Sequence, residues 1–434
     1  MSEKYRNIID YTREANKTFS EEPFNPVDSL VLSQLCYSRL ELSEKAIRES
    51  FKSGESEKNR EEKGFLRKIF RRKSGSEPGN ESDRDTENQD TEPLTIRDFF
   101  RSEYFDVVFA DDISDERNLE IFSFAAASPR FRDLPVINLE ADTDAASETQ
   151  FAAMSFVLDP DTVYIAFRGT DRDLLGWKED FNMSFMEEVP AQALAADYIN
   201  RNYGSGNPRG SRYKLMIGGH SKGGNMAIYG GLKCNEDIHS RILRIFSHDG
   251  PGFRNDVLEE LEKIRERDDI VIHRTVPESS IIGMLMGSTD DYDVVSSDGI
   301  GIMQHFAYAW HVGDGDFIYQ EKLSRAGELH DRTIRDWLMS ASYEEREDFT
   351  NTLYSLLVNN DINTLTDLKN LTPGKILTVM ASLGDVDENS RKNFFRILRS
   401  LAAASIRQLA PGDRGNRDRT QDEQDEQNEQ NEHM

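Results

Sequence analysis

The chain has 434 residues, enough for one large α/β domain with additions or for two domains. Its 53 basic and 80 acidic side chains leave a net charge of −27, which argues against nucleic acid as a partner. Two cysteines, Cys36 and Cys234, offer neither a disulfide framework nor zinc-ligand spacing, and a hydrophobic content of 37% points to a folded core diluted by polar segments. The first residues lack a basic-then-apolar leader and no apolar run reaches membrane-spanning length. The expectation is a cytoplasmic protein, with export by a signal-less route left open.

In chain order, the apolar residues of 20–50 recur at helical spacing, with Asp28 or Ser29 placed to cap the start. From 51 to 93 almost nothing can form a core, and this stretch is read as a disordered linker. It carries one small basic cluster with apolar residues, GFLRKIFRRK (Gly64 to Lys73). That cluster is read first as solvated linker, and second as a weak membrane-surface or partner contact. Order resumes at Pro93 to Phe100. A helix is predicted over 118–127, then strands over Ala152 to Leu158 and Thr162 to Phe167, joined as a hairpin through Asp159-Pro160-Asp161. The second strand runs into Arg168-Gly169-Thr170-Asp171, with Trp177 and Phe181 following. A Gly turn at a strand end suits an oxyanion donor, and Thr170 has both an N–H and a hydroxyl to offer. Taken alone the same residues read equally well as a turn followed by core aromatics.

Tyr213 to Cys234, YKLMIGGHSKGGNMAIYGGLKC, is the most informative stretch. A short apolar strand leads into Gly219-His220-Ser221-Lys222-Gly223, which fits G-x-S-x-G, and a small-residue helix follows. The five-residue pattern is common by itself; the strand before it and the helix after it give it weight as a nucleophile elbow. A serine hydroxyl attacks only when a sharp turn presents it to a base and the next N–H, here that of Lys222, helps hold the oxyanion. The plainer reading is a Gly-rich strand-to-helix turn.

Strand Arg244 to Ser247, helix 256–267 and strand Ile270 to Val276 continue a strand–helix alternation, in which functional groups gather at the carboxyl ends of the strands. A triad in the order Ser, acid, His finds its acid at such a strand end. Asp249 and Glu278 both qualify, and Asp290, Asp291 or Asp293 remain behind them. For the histidine, His305 in GIGIMQHFAYAW lies late enough, ahead of His311 and His273, while His220 is expected to pack behind the elbow. SIIGMLM (Ser280 to Met286) reads as a lid, an acyl-pocket wall or a short core helix. From 325 to 409 the patterns are helical, fitting a partner-binding module or a cap, and 410–434 is a polar, acidic tail expected to be disordered. Neither a metal site nor a phosphate loop is indicated, so no cofactor is expected.

FRGT, then Trp and Asp, with GGHSKGG some fifty residues later, resemble the class 3 (fungal-type) lipases. PFNPVDSLVLSQLCY, AAASPRFRD, GWKEDFNMSF, HDGPGF, VPESSIIGML and GIMQH bring the chain closer still to a bacterial family of Mbeg-like α/β hydrolases, over roughly 20–50 and 94–320. The resemblance implies an α/β-hydrolase fold with a doubly wound, mostly parallel sheet and an esterase-like activity. Its D-G-P-G-F segment favours Asp249 over Glu278; the Asp that class 3 lipases carry just before a Val-Pro pair is missing here, where Arg274 and Thr275 precede it. The expected organisation is 1–50 with 94–324 as the hydrolase core, 51–93 as linker, 325–409 as helical region and 410–434 as tail. The expected chemistry is hydrolysis of a small-molecule or lipid ester by Ser221, His305 and Asp249, with Thr170 and Lys222 holding the oxyanion. A catalytically inactive hydrolase fold that binds a partner is the alternative.

Overall fold

The computed structural model describes residues 5–51, 92–109, 115–144, 148–171, 174–287, 291–299, 301–329, 340–364, 367 and 370–409. The linker with its Gly64 to Lys73 cluster, the tail, Asp290 and most of the first predicted C-terminal helix lie outside these residues.

One sheet of eight strands organises the chain: β1 Val136–Asp144, β2 Thr149–Asp159, β3 Thr162–Phe167, β4 Lys214–His220, β5 Ile242–His248, β6 Ile272–Pro277, β7 Asp293–Val295 and β8 Tyr319–Gln320. β3 to β7 run parallel, while β1–β2–β3 form an antiparallel meander and β8 closes the far edge antiparallel to β7. All six residues of β3 are buried, as a strand covered on both faces requires. The predicted hairpin is present, with Val157 opposite Val163.

The sheet is mostly parallel, as expected, but its strand order corrects the doubly wound reading. The strands lie side by side in sequence order, with no reversal and hence no topological switch point. Right-handed crossovers in such an order deliver every connecting helix to the same face. That is where Pro190–Tyr203, Lys222–Lys233 and Asn255–Asp268 pack, in one core with Ala195, Tyr198, Met226, Ile228 and Leu261. The other face is covered from outside the alternation, by Ile8–Glu14, Pro26–Leu35 and Asp115–Ala127.

Residues 20–50 are helical, in two pieces, Pro26–Leu35 and 41–51. The first is capped by Asn25, not by Asp28 or Ser29. Pro26 takes the first helical position, where its missing N–H costs nothing, and Asn25 and Asp28 exchange side-chain-to-backbone hydrogen bonds of 2.9 Å each. Asp28 thus lies inside the first turn, where its carboxylate meets Arg130 at 2.6 Å with both side chains buried. C-terminal helices Tyr343–Val358, Pro373–Ser382 and Glu388–Leu409 share a small core, in which the Phe349 and Phe394 rings stack 5.2 Å apart. Leu174 N–H donates to Asn363 O at 2.9 Å, and Lys178 Nζ lies 4.8 Å from the Tyr354 ring centre, so this region docks on helix Leu174–Asn182.

Candidate active site

Thr170, Ser221 and Asp249 follow the ends of β3, β4 and β5. At the end of β4, Ser221 adopts φ 59° and ψ −132°, a conformation that L residues avoid unless their surroundings impose it. Its N–H donates to His248 O on β5 at 2.9 Å. The turn is possible because its glycines leave no side chain in the way. A Cβ on Gly219 would come within 2.2 Å of Gly223, and one on Gly223 within 2.2 Å of Phe167 O. Sequence chemistry thus produces an elbow, and Ser221 opens from it into a cavity.

The turn after β5 carries Asp249, fully buried and at φ 48°. One carboxylate oxygen faces His305 Nδ1 at 2.6 Å; the other accepts the Ser280 hydroxyl and the Gly283 N–H, the latter at 3.0 Å. An acceptor on Nδ1 places the neutral ring's proton there and leaves Nε2 with a lone pair. His305 ends the 3₁₀ turn Gly301–His305 with a side chain 13% exposed. Its carbonyl accepts His220 Nε2–H at 2.7 Å, and the two imidazoles lie 4.6 Å apart. Gln304 fixes the same turn, accepting the Ser279 N–H through its side chain at 2.7 Å and the Trp310 indole N–H through its carbonyl at 2.8 Å. Among the described residues Ser221 Oγ has no hydrogen-bond partner, so its bond to His305 is unmade in this conformation.

The other histidines are placed elsewhere. His220 is buried between Tyr37 and His305; burial first, then the charge of His305, holds its pKa well below the usual histidine value. It packs behind the elbow as expected. His248, similarly depressed by burial, bridges Ser29 at 2.8 Å and Thr275 at 2.7 Å. His311 faces Ser296 at 3.0 Å and stacks on Tyr5, and His273 lies 3.8 Å from Asp293. Glu278 follows β6, but the carboxylate that reaches His305 is that of Asp249.

On the opposite side, Thr170 follows β3, and its hydroxyl donates to Asp180 Oδ2 at 2.7 Å. Burial first of all pushes Asp180 up to about 6. The Thr170 hydroxyl therefore already has an acceptor, an arrangement the sequence reading did not include. The N–H groups of Thr170 and Lys222 make no hydrogen bond among the described residues. The side chain of Lys222 turns away, fully buried, to Glu179 at 3.0 Å and Gln150 O at 2.8 Å. Glu179 and Asp180, neighbours on helix Leu174–Asn182, thus act on different partners. Their positions in GWKEDF were visible in the sequence; which acid meets which partner was not.

Ser221 lies in the wall of a cavity of about 190 Å³, with Trp177, Phe181, Pro251, Ile281 and Leu285 around it. SIIGMLM is therefore cavity wall; in its irregular turns Ile281, Ile282, Leu285 and Met286 face the cavity while Ser280 and Gly283 hold Asp249. Among the described residues no group of three or more His, Cys, Asp or Glu side chains is placed to hold a metal ion, and no helix is long and apolar enough to cross a membrane.

The Mbeg1-like family model matches residues 125–355, just over half of the chain. The chain belongs to the Mbeg1-like family. The Mbeg1-like match contains Thr170, Ser221, Asp249 and His305 and reaches into helix Tyr343–Val358, stopping short of helix Glu388–Leu409. Among solved structures, an inhibitor-bound fungal lipase is similar at 19% identity, covering 38% of this chain and 65% of that one, with a TM-score of 0.26. Lipase II from Rhizopus niveus is 14% identical over 47% of this chain and 77% of its own, at 0.29. The Lip2 lipase of Yarrowia lipolytica is 12% identical over 42% and 82%, at 0.30. The chain thus spans just under two thirds of the first of these lipases. No curated protein matches.

Proposed function

We propose that this Mbeg1-like protein is a serine hydrolase acting on carboxylic esters, with Ser221 as nucleophile, His305 as general base and Asp249 as the carboxylate that orients it. The observation that carries this reading is the 2.6 Å contact between buried Asp249 and His305 Nδ1, beside a serine held in a strained strand-to-helix turn. In this reading His305 Nε2 takes the hydroxyl proton as Ser221 Oγ bonds to the acyl carbon. The carbonyl oxygen becomes an oxyanion held by the N–H groups of Lys222 and Thr170. The alkoxide then leaves with the proton returned by His305, and water repeats the sequence to release the acid. The Thr170 hydroxyl contributes to the oxyanion only if its proton turns from Asp180. The cavity lining favours an apolar acyl group, such as that of a lipid ester.

The unmade Ser221–His305 bond favours a second reading, an inactive hydrolase fold that only binds. Catalytic hydrogen bonds often close only around substrate, so the unmade bond does not decide the matter. Labelling by a fluorophosphonate probe does. Wild type is expected to label, and Ser221→Ala and His305→Ala to lose the label. A folded wild type that stays unlabelled even with detergent or lipid present transfers the case to the binding reading.

A further inference from the structure

The cavity at Ser221 is built from two parts of the chain that lie far apart in sequence. Trp177, Phe181, Pro251, Ile281 and Leu285 belong to the sheet domain and its connections, whereas Phe349, Thr350 and Ile397 come from the C-terminal helices and Ala341 from the bend just before helix Tyr343–Val358, in the same small core as Phe349. Phe349 and Ile397 are themselves members of the small C-terminal core and are buried, so their positions are set by helix packing rather than by a mobile loop. Arg346 Nη1 donates to Ser184 O at 2.8 Å in the cavity wall, and the Arg254 guanidinium lies 4.6 Å from the Tyr343 ring centre, both fastening the same helix to the sheet domain. An apolar wall facing the nucleophile has no partner in the ester bond itself; it matches the chain attached to the acyl carbon.

We infer that the C-terminal helical region supplies the acyl-binding wall of the Ser221 site, and that Phe349 and Ala341 set the length of the apolar acyl chain it accepts. This rests on the serine-hydrolase reading for turnover, but not for binding. A large residue at one position and a small one at the other divide the space. Phe349→Ala lengthens the cavity, and Ala341→Phe fills it. A methylene in an apolar pocket changes discrimination by roughly 10–200-fold, so the effect is large enough to measure.

The test uses the full chain and p-nitrophenyl esters from acetate to dodecanoate. Relative to wild type, Phe349→Ala is expected to raise the ratio of kcat/KM for dodecanoate over butyrate by about 10-fold or more, and Ala341→Phe to lower it similarly. Loss of stability moves both variants the same way, so opposite shifts identify a shared acyl subsite. If one variant fails to fold, the direction of the other decides. The second arm removes chemistry: in Ser221→Ala, 11-bromoundecanoate should quench Trp177, which faces the cavity, and quench it less when Ala341→Phe is added. Turnover with a chain-length profile unmoved by folded variants overturns this inference and leaves the serine reading intact. Quenching that Ala341→Phe weakens, without turnover or fluorophosphonate labelling, overturns the serine reading and supports the wall. No quenching and no turnover overturns both.

Discussion

Glu179→Ala tests whether the elbow is held from beneath by a buried charge pair. Glu179 and Lys222 are 3.0 Å apart with both side chains fully buried, so neither charge is solvated at the surface. One Glu179 oxygen accepts the Ala191 N–H at 2.9 Å; the other accepts Lys222 Nζ and the Gln150 N–H at 3.1 Å. Truncation strands the ammonium with only Gln150 O as acceptor and leaves two buried N–H groups without one. Removing one member of a buried ion pair costs about 3–5 kcal/mol, a large share of a domain's stability of about 5–15 kcal/mol. The double variant Glu179→Ala/Lys222→Met removes the stranded charge, and should recover at least about 1 kcal/mol of that loss even though the backbone groups stay unpaired. Urea unfolding followed by circular dichroism measures both, and fluorophosphonate labelling of the folded fraction reports whether the elbow survives. A Glu179→Ala variant within about 1 kcal/mol of wild type, or a double variant as unstable as the sum of its parts, refutes the reasoning.

Asp249→Asn keeps the shape of the acid but can present its amide N–H₂ to Nδ1, so turnover should fall by about 10⁴-fold with the fold intact; Glu278→Gln should leave turnover at the wild-type level, and the reverse pattern would hand the role to Glu278. Asp180 is raised from an ordinary value of 3.8 to about 6, chiefly by burial, so the folded state binds its proton more tightly than the unfolded chain. The stabilisation from that proton is complete below about pH 4 and is lost as pH rises through about 6. The urea midpoint of wild type relative to Asp180→Asn should accordingly fall between pH 4 and 7, and a flat difference across that range rules out the shifted carboxyl.

Much of this molecule was readable because burial on both faces of a parallel strand leaves a dense apolar run. TVYIAF is strand β3 without change of bounds, and RIFS lies inside β5. The elbow was readable because its glycines answer a local steric demand. Asp249, preferred over Glu278 in the sequence, is the acid that touches His305, yet spacing could not have shown that Ser280 and Gly283 hold its second oxygen. β1 was missed because VINLEADTD is largely solvent-facing beyond its first residue, and β7 and β8, of three and two residues, are too short to show a period. Strand order is not a local property either; one face of the sheet depends in part on helices Ile8–Glu14 and Pro26–Leu35, which end about a hundred residues or more before β1 begins. The C-terminal helices teach the same point about the site. Their amphipathic pattern announced helices with a face to bury, but that pattern is satisfied equally by each other, by a partner or by the sheet domain. Only their placement, with Phe349 and Ile397 lining the same cavity as Ser221, turns a helical addition into part of that cavity's wall.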